Sequence, residues 1–513
     1  MTAALTSLAT SYTVAMGQPV TTHRTWLDSA DFRLYRSGMA LMVAAGHDGD
    51  EHGFELSSTD GPSVTAGPDT LGWPRLLACL PYQLRPRLEP VLGVRALRPV
   101  VQLSGTSVSG RLLDVEGKTV LRVVHEHPAT IDGTDGRLSG GIWLIPLRGY
   151  AADAARADRI VQRAGLMRSD RVGYPAALHA AGFDPDATRP MTEAGLPARV
   201  AVARMLVSFL DEIEAAWDGT VTDVDIEFLH DFRVAVRRSR SAVKLLGDVL
   251  PPALVAWVAP ELKWLGDLTT PPRDLDVLMQ ELPSLTDSLV SGRPEDVVPL
   301  ELDLRRLRAE EQGRLEQGLR SARFERLRTH WRSSLKEFAS WDGRPCAGPT
   351  ATTIGVERLA VAERVVLRRG SRITDSSPAE DLHTLRKRAK ELRYLREIFP
   401  PPGDPDEARA ALKDLKALQD VLGTFQDSEA QREAIYALAT DMMGRDTVSA
   451  RTILAMGEIA ARLQVDQDSS RARFAAMFER FARRPVRRRT SWLGQLCAAP
   501  AQAAATLSAA AML

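Results

Sequence analysis

Hydrophobic positions fall into two textures along the chain. From Thr21 to about Pro175, short apolar runs are punctuated by Gly, Asp and Pro, which predicts strands. Val100–Leu103, Gly110–Ile131 and Gly141–Gly149 read as successive strand segments, with a Glu116–Gly117 turn between Leu112–Val115 and Thr119–Val124. Helical spacing follows over Ala151–Ala164 and Tyr174–Phe183, then the linker DPDATRPMTEAGLP. From about Pro197 the apolar residues keep a helical period. Helices are predicted over Ala201–Trp217, Ile226–Leu250 and Leu254–Leu268, with a break at Thr269–Pro272 before another at Arg273–Leu282. Leu300–Phe338 is one long or kinked helical region whose charges alternate in sign, the pattern of a solvated face. After a loop at Trp341–Thr350 the order repeats: Val356–Arg369, Asp381–Phe399, Glu407–Gly423, Ser428–Met443 and Ala450–Leu463. At the ends, residues 1–20 read as a mobile tail, Arg483–Arg489 as a basic cluster and Ala498–Leu513 as an alanine-rich tail.

Within the helical part, His230, Arg233, Arg237, Arg240 and Lys244 follow one another at intervals of three, four, three and four residues. At about 100° per residue they stand in one row along a helix. Leu229, Phe232, Val236 and Val243 form an apolar stripe beside them, so the basic row borders a buried face. Taken alone, such a row is the solvated face of an amphipathic helix.

Recurrence changes that reading. His383, Arg386, Lys390 and Arg393 repeat the spacing, and His383 lies 153 residues after His230. The same offset carries Leu262, Lys263, Leu265, Asp267 and Asp274 onto Leu415, Lys416, Leu418, Asp420 and Asp427. A register kept over this distance marks a duplicated helical unit, a pseudo-two-fold pair of bundles whose basic rows can face one another. The fifth position departs from the pattern, since Glu397 stands where the first copy has Lys244.

These paired blocks resemble the CHAD family, the conserved histidine α-helical domain, over roughly Leu196 to Leu493. The resemblance implies an all-α domain of two similar bundles with a basic central cleft, associated with inorganic polyphosphate. It carries binding roles onto His230, Arg233, Arg237, Arg240, Lys263, His383, Arg386, Lys390, Arg393 and Lys416, to which the row adds Lys244. Asp267, Asp274, Asp420 and Asp427 read as ion-pair partners that orient the basic groups, because Lys263 and Lys416 lie one turn before two of them.

A second resemblance lies upstream. TWLDSADFRLYRSGMAL, Thr25–Leu41, is similar to the opening signature of the CYTH or triphosphate tunnel metalloenzyme family through Asp28, Asp31, Leu34, Gly38 and Leu41. That implies an antiparallel β-barrel enclosing a tunnel. The active members open with E-x-E-x-K, yet the residues before Thr25 contain no Glu or Lys, and the late strand Leu144–Gly149 carries no carboxylate. Metal-assisted phosphoryl hydrolysis needs several carboxylates around hard cations, so the barrel reads as degenerate.

Composition adds limits. The chain has 513 residues, 66 basic and 66 acidic, so attraction for a polyanion must come from how charge is arranged rather than from its sum. Cys79, Cys346 and Cys497 form neither a disulfide framework nor a zinc spacing, which favours a reducing cytoplasm. No apolar run is long enough for a membrane span, and no P-loop, Rossmann fingerprint or nucleophile elbow occurs. The resulting expectation is an α+β multidomain chain: residues 1–20 a tail, 21–180 a degenerate CYTH-like β-barrel domain, 181–195 a linker, 196–493 an all-α duplicated helical-bundle domain (halves about 196–340 and 351–493), and 494–513 a tail. Its expected partner is inorganic polyphosphate, held without cofactor, metal or catalytic residue, in the cytoplasm or at polyphosphate granules. The alternative is a metal-dependent triphosphatase or polyphosphatase acting in the N-terminal tunnel. Nucleic acid ranks last, because Tyr394 is the one aromatic within the basic rows that could stack on bases.

Overall fold

The computed structural model describes residues 2–45, 53–58, 61–68, 74–167, 173–186, 196–290, 292–340, 348–399, 405–445 and 448–483. The 484–489 part of the basic cluster, the alanine-rich tail, most of the 341–350 loop and the 187–195 part of the linker lie outside them. The chain divides into two compact units, Met1–Thr188 and Arg189–Leu513.

In the first unit the strands are β1 (Thr13–Asp28), β2 (Met39–Ala45), β3 (Gly53–Ser58), β4 (Gly61–Pro68), β5 (Arg98–Leu113), β6 (Thr119–Glu126), β7 (Ala129–Ile131), β8 (Arg137–Leu138) and β9 (Gly141–Pro146). They form one antiparallel sheet in the order β4-β3-β2-β1-β5-β6-β9, with β7 beside β5 and β8 beside β7. Gly117, at φ 77, makes the β5–β6 turn where the sequence placed it. The sheet does not close into the expected barrel among the described residues. Helices cover it instead. α2 (Arg33–Arg36) and α3 (Arg85–Leu92) bury Leu34, Leu88 and Leu92 against Leu27, Leu41 and Phe54 of the sheet. Neighbouring side chains in a strand point to opposite faces, and on the other face Trp26, Val101 and Leu103 pack under Tyr174 and Leu178 of α5 (Tyr174–Ala180).

The first twenty residues are not a mobile tail. α1 (Thr2–Ala9) and the start of β1 pack on the body, because Ala4, Leu8 and Tyr12, each four residues apart, bury against Ala157 and Val161 of α4 (Ala151–Arg163). The Tyr12 hydroxyl also donates to the Asp153 carbonyl at 3.2 Å.

The second unit is helical: α6 (Ala198–Val221), α7 (Ile226–Leu246), α8 (Pro252–Asp287), α9 (Pro294–Leu319) and α10 (Ala322–Ala339), then α11 (Ala351–Gly370), α12 (Ala379–Ile398), α13 (Pro405–Gly444) and α14 (Ala450–Ala482). Shifting α6 to α9 by 153 residues lands them on α11 to α14, so the repeat read from the basic rows extends through four helices. The backbone meets itself across this pseudo-axis. Ala198 N–H donates to the Pro349 carbonyl at 3.1 Å, and Ala351 N–H donates to the Leu196 carbonyl at 2.8 Å. Each bond is the other shifted by one repeat, the self-complementary pairing of a two-fold contact. One hydrophobic core is also shared by both halves, with Leu278, Leu300, Ile435 and Ile459 coming from α8, α9, α13 and α14.

Three helical expectations change. The break at Thr269–Pro272 is absent and α8 runs through Pro271 and Pro272. Proline removes a helical donor, so the Asp267 and Leu268 carbonyls lose their usual N–H partners, yet the helix continues with Thr269 and Pro272 buried. Glu407–Gly423 and Ser428–Met443 are likewise one helix, α13. The region Leu300–Phe338 is two helices, parted where the Ser321 hydroxyl caps the Phe324 N–H, and its charges are not all solvated. Arg308 and Gln312 are buried because α9 turns that face toward Thr220, Asp223 and Asp276, and Asp303 is buried beside Arg306 and Arg445.

Candidate anion-binding cavity

α7 starts from a well-formed cap, with the Asp225 carboxylate accepting from Glu227 N–H at 2.8 Å and Phe228 N–H at 3.1 Å. Its stripe of Leu229, Phe232, Val236 and Val243 is buried, which fixes the helix rotation and turns the adjoining basic row to the side. Leu382, Leu385, Ala389 and Leu392 do the same for α12.

The first three members of each row meet. His230, Arg233 and Arg237 line one cavity of about 910 Å³ together with His383, Arg386 and Lys390. α8 and α13 add Arg273, Asp274, Gln426 and Asp427, and an aliphatic wall that includes Leu275, Leu278 and Leu438. Asp427 accepts from Arg386 at 2.8 Å, and Asp274 lies 3.9 Å from Arg233. The two contacts are repeat equivalents.

Arg237 and Lys390, also repeat equivalents, have no carboxylate partner among the described residues. The Nε atoms of Arg237 and Arg386 are buried and without an acceptor. Burial, reinforced by Arg386 and Arg237, pushes the Lys390 ammonium down to about 8. Burial and the charge of Arg273 also lower His230 below the ordinary histidine range, which favours its neutral form. His383 is held differently: its Nδ1–H donates to Gln426 Oε1, and Gln426 Nε2 donates to Glu429 at 3.2 Å. That leaves His383 Nε2 as the other ring nitrogen for a ligand.

The remaining predicted residues lie outside this lining. Arg240 rests over Gly266, where a Cβ would collide with its guanidinium. Lys244 pairs with Glu391 at 2.8 Å, and Arg393 with Glu397 at 3.1 Å and Gln419 at 3.2 Å. Lys263 and Asp267 pair at 2.6 Å on an exposed face of α8, while Lys416 and Asp420 are exposed on α13. A row is straight along its helix, whereas two packed helices adjoin over only a few turns, so the later members find other partners. Tyr394 is buried and offers no stacking face.

Arg273 and Gln426 escaped the sequence reading. Gln426 follows Arg273 by one repeat, and each immediately precedes a predicted acid. The adjacency was legible, but the change from Arg to Gln hid the equivalence. In the first unit, Asp28 is buried and accepts from the N–H groups of Ser29, Leu34 and Tyr35 and from the Tyr174 hydroxyl, at 2.7 to 3.0 Å. Asp31 accepts from Ser29 and Arg33 at 2.7 and 3.0 Å. Both signature acids thus tie β1 to the short α2 turn.

Residues 204–436 match the family model described as the CHAD domain. The protein Rv2226 of Mycobacterium tuberculosis strain H37Rv is 30% identical over 238 residues, 45% of this chain and 44% of its own length. MT2285 of strain CDC 1551 is 29% identical over the same span. The chain thus matches less than half the length of these curated relatives. Among solved structures, the CHAD domain from the plant Ricinus communis is 24% identical with a TM-score of 0.48, covering 57% of this chain and 95% of its own. PptA from Streptomyces chartreusis is 18% identical with a TM-score of 0.44, covering 55% and 99%.

Proposed function

From the premise that this chain carries a CHAD domain, we propose that the cavity between α7 and α12 binds inorganic polyphosphate and leaves it intact. The observation that carries the reading is the pair Arg237 and Lys390: two equivalent cations in one cavity, with no carboxylate partner among the described residues. A half-buried cation without a carboxylate partner is costly, and a phosphate chain with about one negative charge per unit supplies the missing anions along a line. Arg233, Arg386 and Arg273 add forked donors on either side, and the aliphatic wall lowers the dielectric in which these contacts act. The carboxylates nearest the basic groups, Asp274 and Asp427, are engaged with arginines. They suit positioning of cations more than activation of water. No described helix is long and apolar enough to cross a membrane. A place in the cytoplasm, at polyphosphate granules, accords with the cysteine usage and with this ligand.

The direct test is binding of long-chain polyphosphate to the full chain across a salt series, beside single-stranded DNA. Four phosphate contacts would weaken binding roughly 50-fold between about 50 and 200 mM salt. Equal affinity for DNA, or no binding at low salt, would remove the reading.

The pH dependence has a definite sign. Lys390 titrates at about 8 in the free chain, and a bound polyanion raises that value by stabilising the ammonium. Protons are therefore taken up on binding near pH 8, and affinity drops by up to about tenfold from pH 7 to pH 9. Calorimetric titration in two buffers of different ionisation enthalpy measures the uptake. Lys390→Arg, charged throughout, should bind equally at both pH values; a wild type with no uptake would show that Lys390 does not meet the ligand.

A further inference from the structure

A second basic groove lies in the helical unit, between α11, α12 and the end of α7. It encloses about 370 Å³ and is lined by Lys244, Arg358, Arg368, Arg369, Arg388 and Glu391, with aliphatic side chains of α11. Glu391 accepts from both Lys244 and Arg388 at 2.8 Å, and Arg358 pairs with Asp248. Arg368 and Arg369 are exposed and have no carboxylate partner among the described residues. Five cations thus meet two carboxylates.

The pseudo-two-fold supplies an internal control, because every position of the groove has an equivalent in the first half. Arg358, Arg368, Arg369 and Arg388 correspond to Met205, Ala215, Ala216 and Ala235, and Lys244 to Glu397. The contact between Lys244 and Glu391 is the repeat image of that between Glu397 and Arg238, with the charges exchanged. In the first half Arg238 is also 3.4 Å from Glu212, so the equivalent surface is closed by its own acids. The same helical packing therefore forms without these arginines. Their presence in one copy is not a requirement of the fold, and they concentrate positive charge at a concave place.

We infer that this groove is a second binding site for phosphoanions, with Arg368 and Arg369 as its forked donors, separate from the central cavity. Lys244 and Arg237 stand seven residues apart on α7, about 10 Å, with the exposed Arg240 between them. Either a distant segment of a polyphosphate held in the cavity or an independent short phosphate compound has the chemistry to fill the groove. Only the first source rests on the polyphosphate reading.

The test uses the full chain and tripolyphosphate, followed by calorimetry. Two equivalents are expected for the wild type and one for Arg368→Ala/Arg369→Ala, which copies the alanines of the first half and so keeps the fold. An unchanged stoichiometry in that variant overturns the site. Failure of the central-cavity reading has another signature: Arg237→Ala/Lys390→Ala then removes no equivalent while the Arg368→Ala/Arg369→Ala change still removes one. Long-chain polyphosphate distinguishes the sources. A tenfold or greater drop in long-chain affinity in Arg368→Ala/Arg369→Ala assigns the groove to a spanning chain, and unchanged long-chain affinity beside the missing tripolyphosphate equivalent assigns it to a separate short anion.

Discussion

Polyphosphate affinity should fall by roughly 10²- to 10⁴-fold when Arg237 and Lys390 are both replaced by alanine, the largest drop expected from any two changes in the chain. Each of these cations has no carboxylate partner among the described residues, so the phosphates become their partners. Hydrogen bonds to charged groups contribute about 1.5–3 kcal/mol apiece, and two of them give about 3–6 kcal/mol, which is that range of affinity. Arg233 and Arg386 should cost less, since Asp274 and Asp427 already engage them and an incoming phosphate must share or displace those acids. The double variant is expected to fold at least as well as the wild type. Both side chains are charges held in a partly buried cavity, and Lys390 is depressed to about 8 by that environment, so their removal relieves the free protein of repulsion. The salt dependence should also flatten, by about 0.7 in log–log slope for each phosphate that is no longer neutralised. Measured affinity and circular dichroism together decide it: a folded variant that still binds as the wild type does would place the ligand elsewhere.

How far the sequence carried can be traced to particular residues. The repeat offset marks His230 with His383, Arg237 with Lys390 and Asp274 with Asp427 as equivalent, and all six line one cavity, because a duplicated helix keeps its face when its spacing is kept. Spacing along one helix does not reveal where a second helix leaves it, and so Arg240, Lys244 and Arg393 were grouped with residues they do not join. Local rules also failed where tertiary contacts compensate. α8 continues through Pro271 and Pro272 where its sequence predicts a stop, with Pro272 itself buried in the packing of the helical unit. At the N-terminus the small residues of α1 lack any strong local signal, and α4, some 140 residues later, is what orders them. In the sheet, segments of β5, β6 and β9 were legible one by one, whereas the start of β1 and the short helices α2 and α3 were not, because their packing partners lie far along the chain.

A buried network that no motif announced should prove the greatest single contributor to the stability of the helical unit. Arg308 of α9 donates from Nε to Asp276 of α8 at 2.9 Å and from Nη2 to Asp223 at 2.6 Å. Arg308 and Asp276 are 9% and 3% exposed, too little for water to take over either charge. Removing one partner of such a pair leaves an uncompensated buried charge, and Arg308→Ala is expected to cost about 3–5 kcal/mol. For a unit of this size that is a fall of roughly 6–10 °C in the midpoint of its unfolding transition. The destabilisation should depend on pH in one direction. Burial already raises the Asp276 carboxyl above its usual range, and without Arg308 to oppose it the folded-state value rises further. The variant's folded state then binds the proton more tightly than its unfolded state, so the penalty present at pH 7 fades as pH falls toward the unfolded value near 4. The second half makes the same point from its own sequence: Ser376, Glu429 and Ala461 stand at the equivalent positions, and that half folds without the triad. Accordingly Arg308→Met with Asp276→Leu, which removes both buried charges, should recover most of the stability that Arg308→Ala removes. Because Asp276 lies two residues beyond Asp274 on α8, Arg308→Ala should weaken polyphosphate binding as well, while the apolar pair restores it. Equal destabilisation at pH 4 and pH 7, or no recovery in the double variant, would show that the network is not what ties α8 to α9.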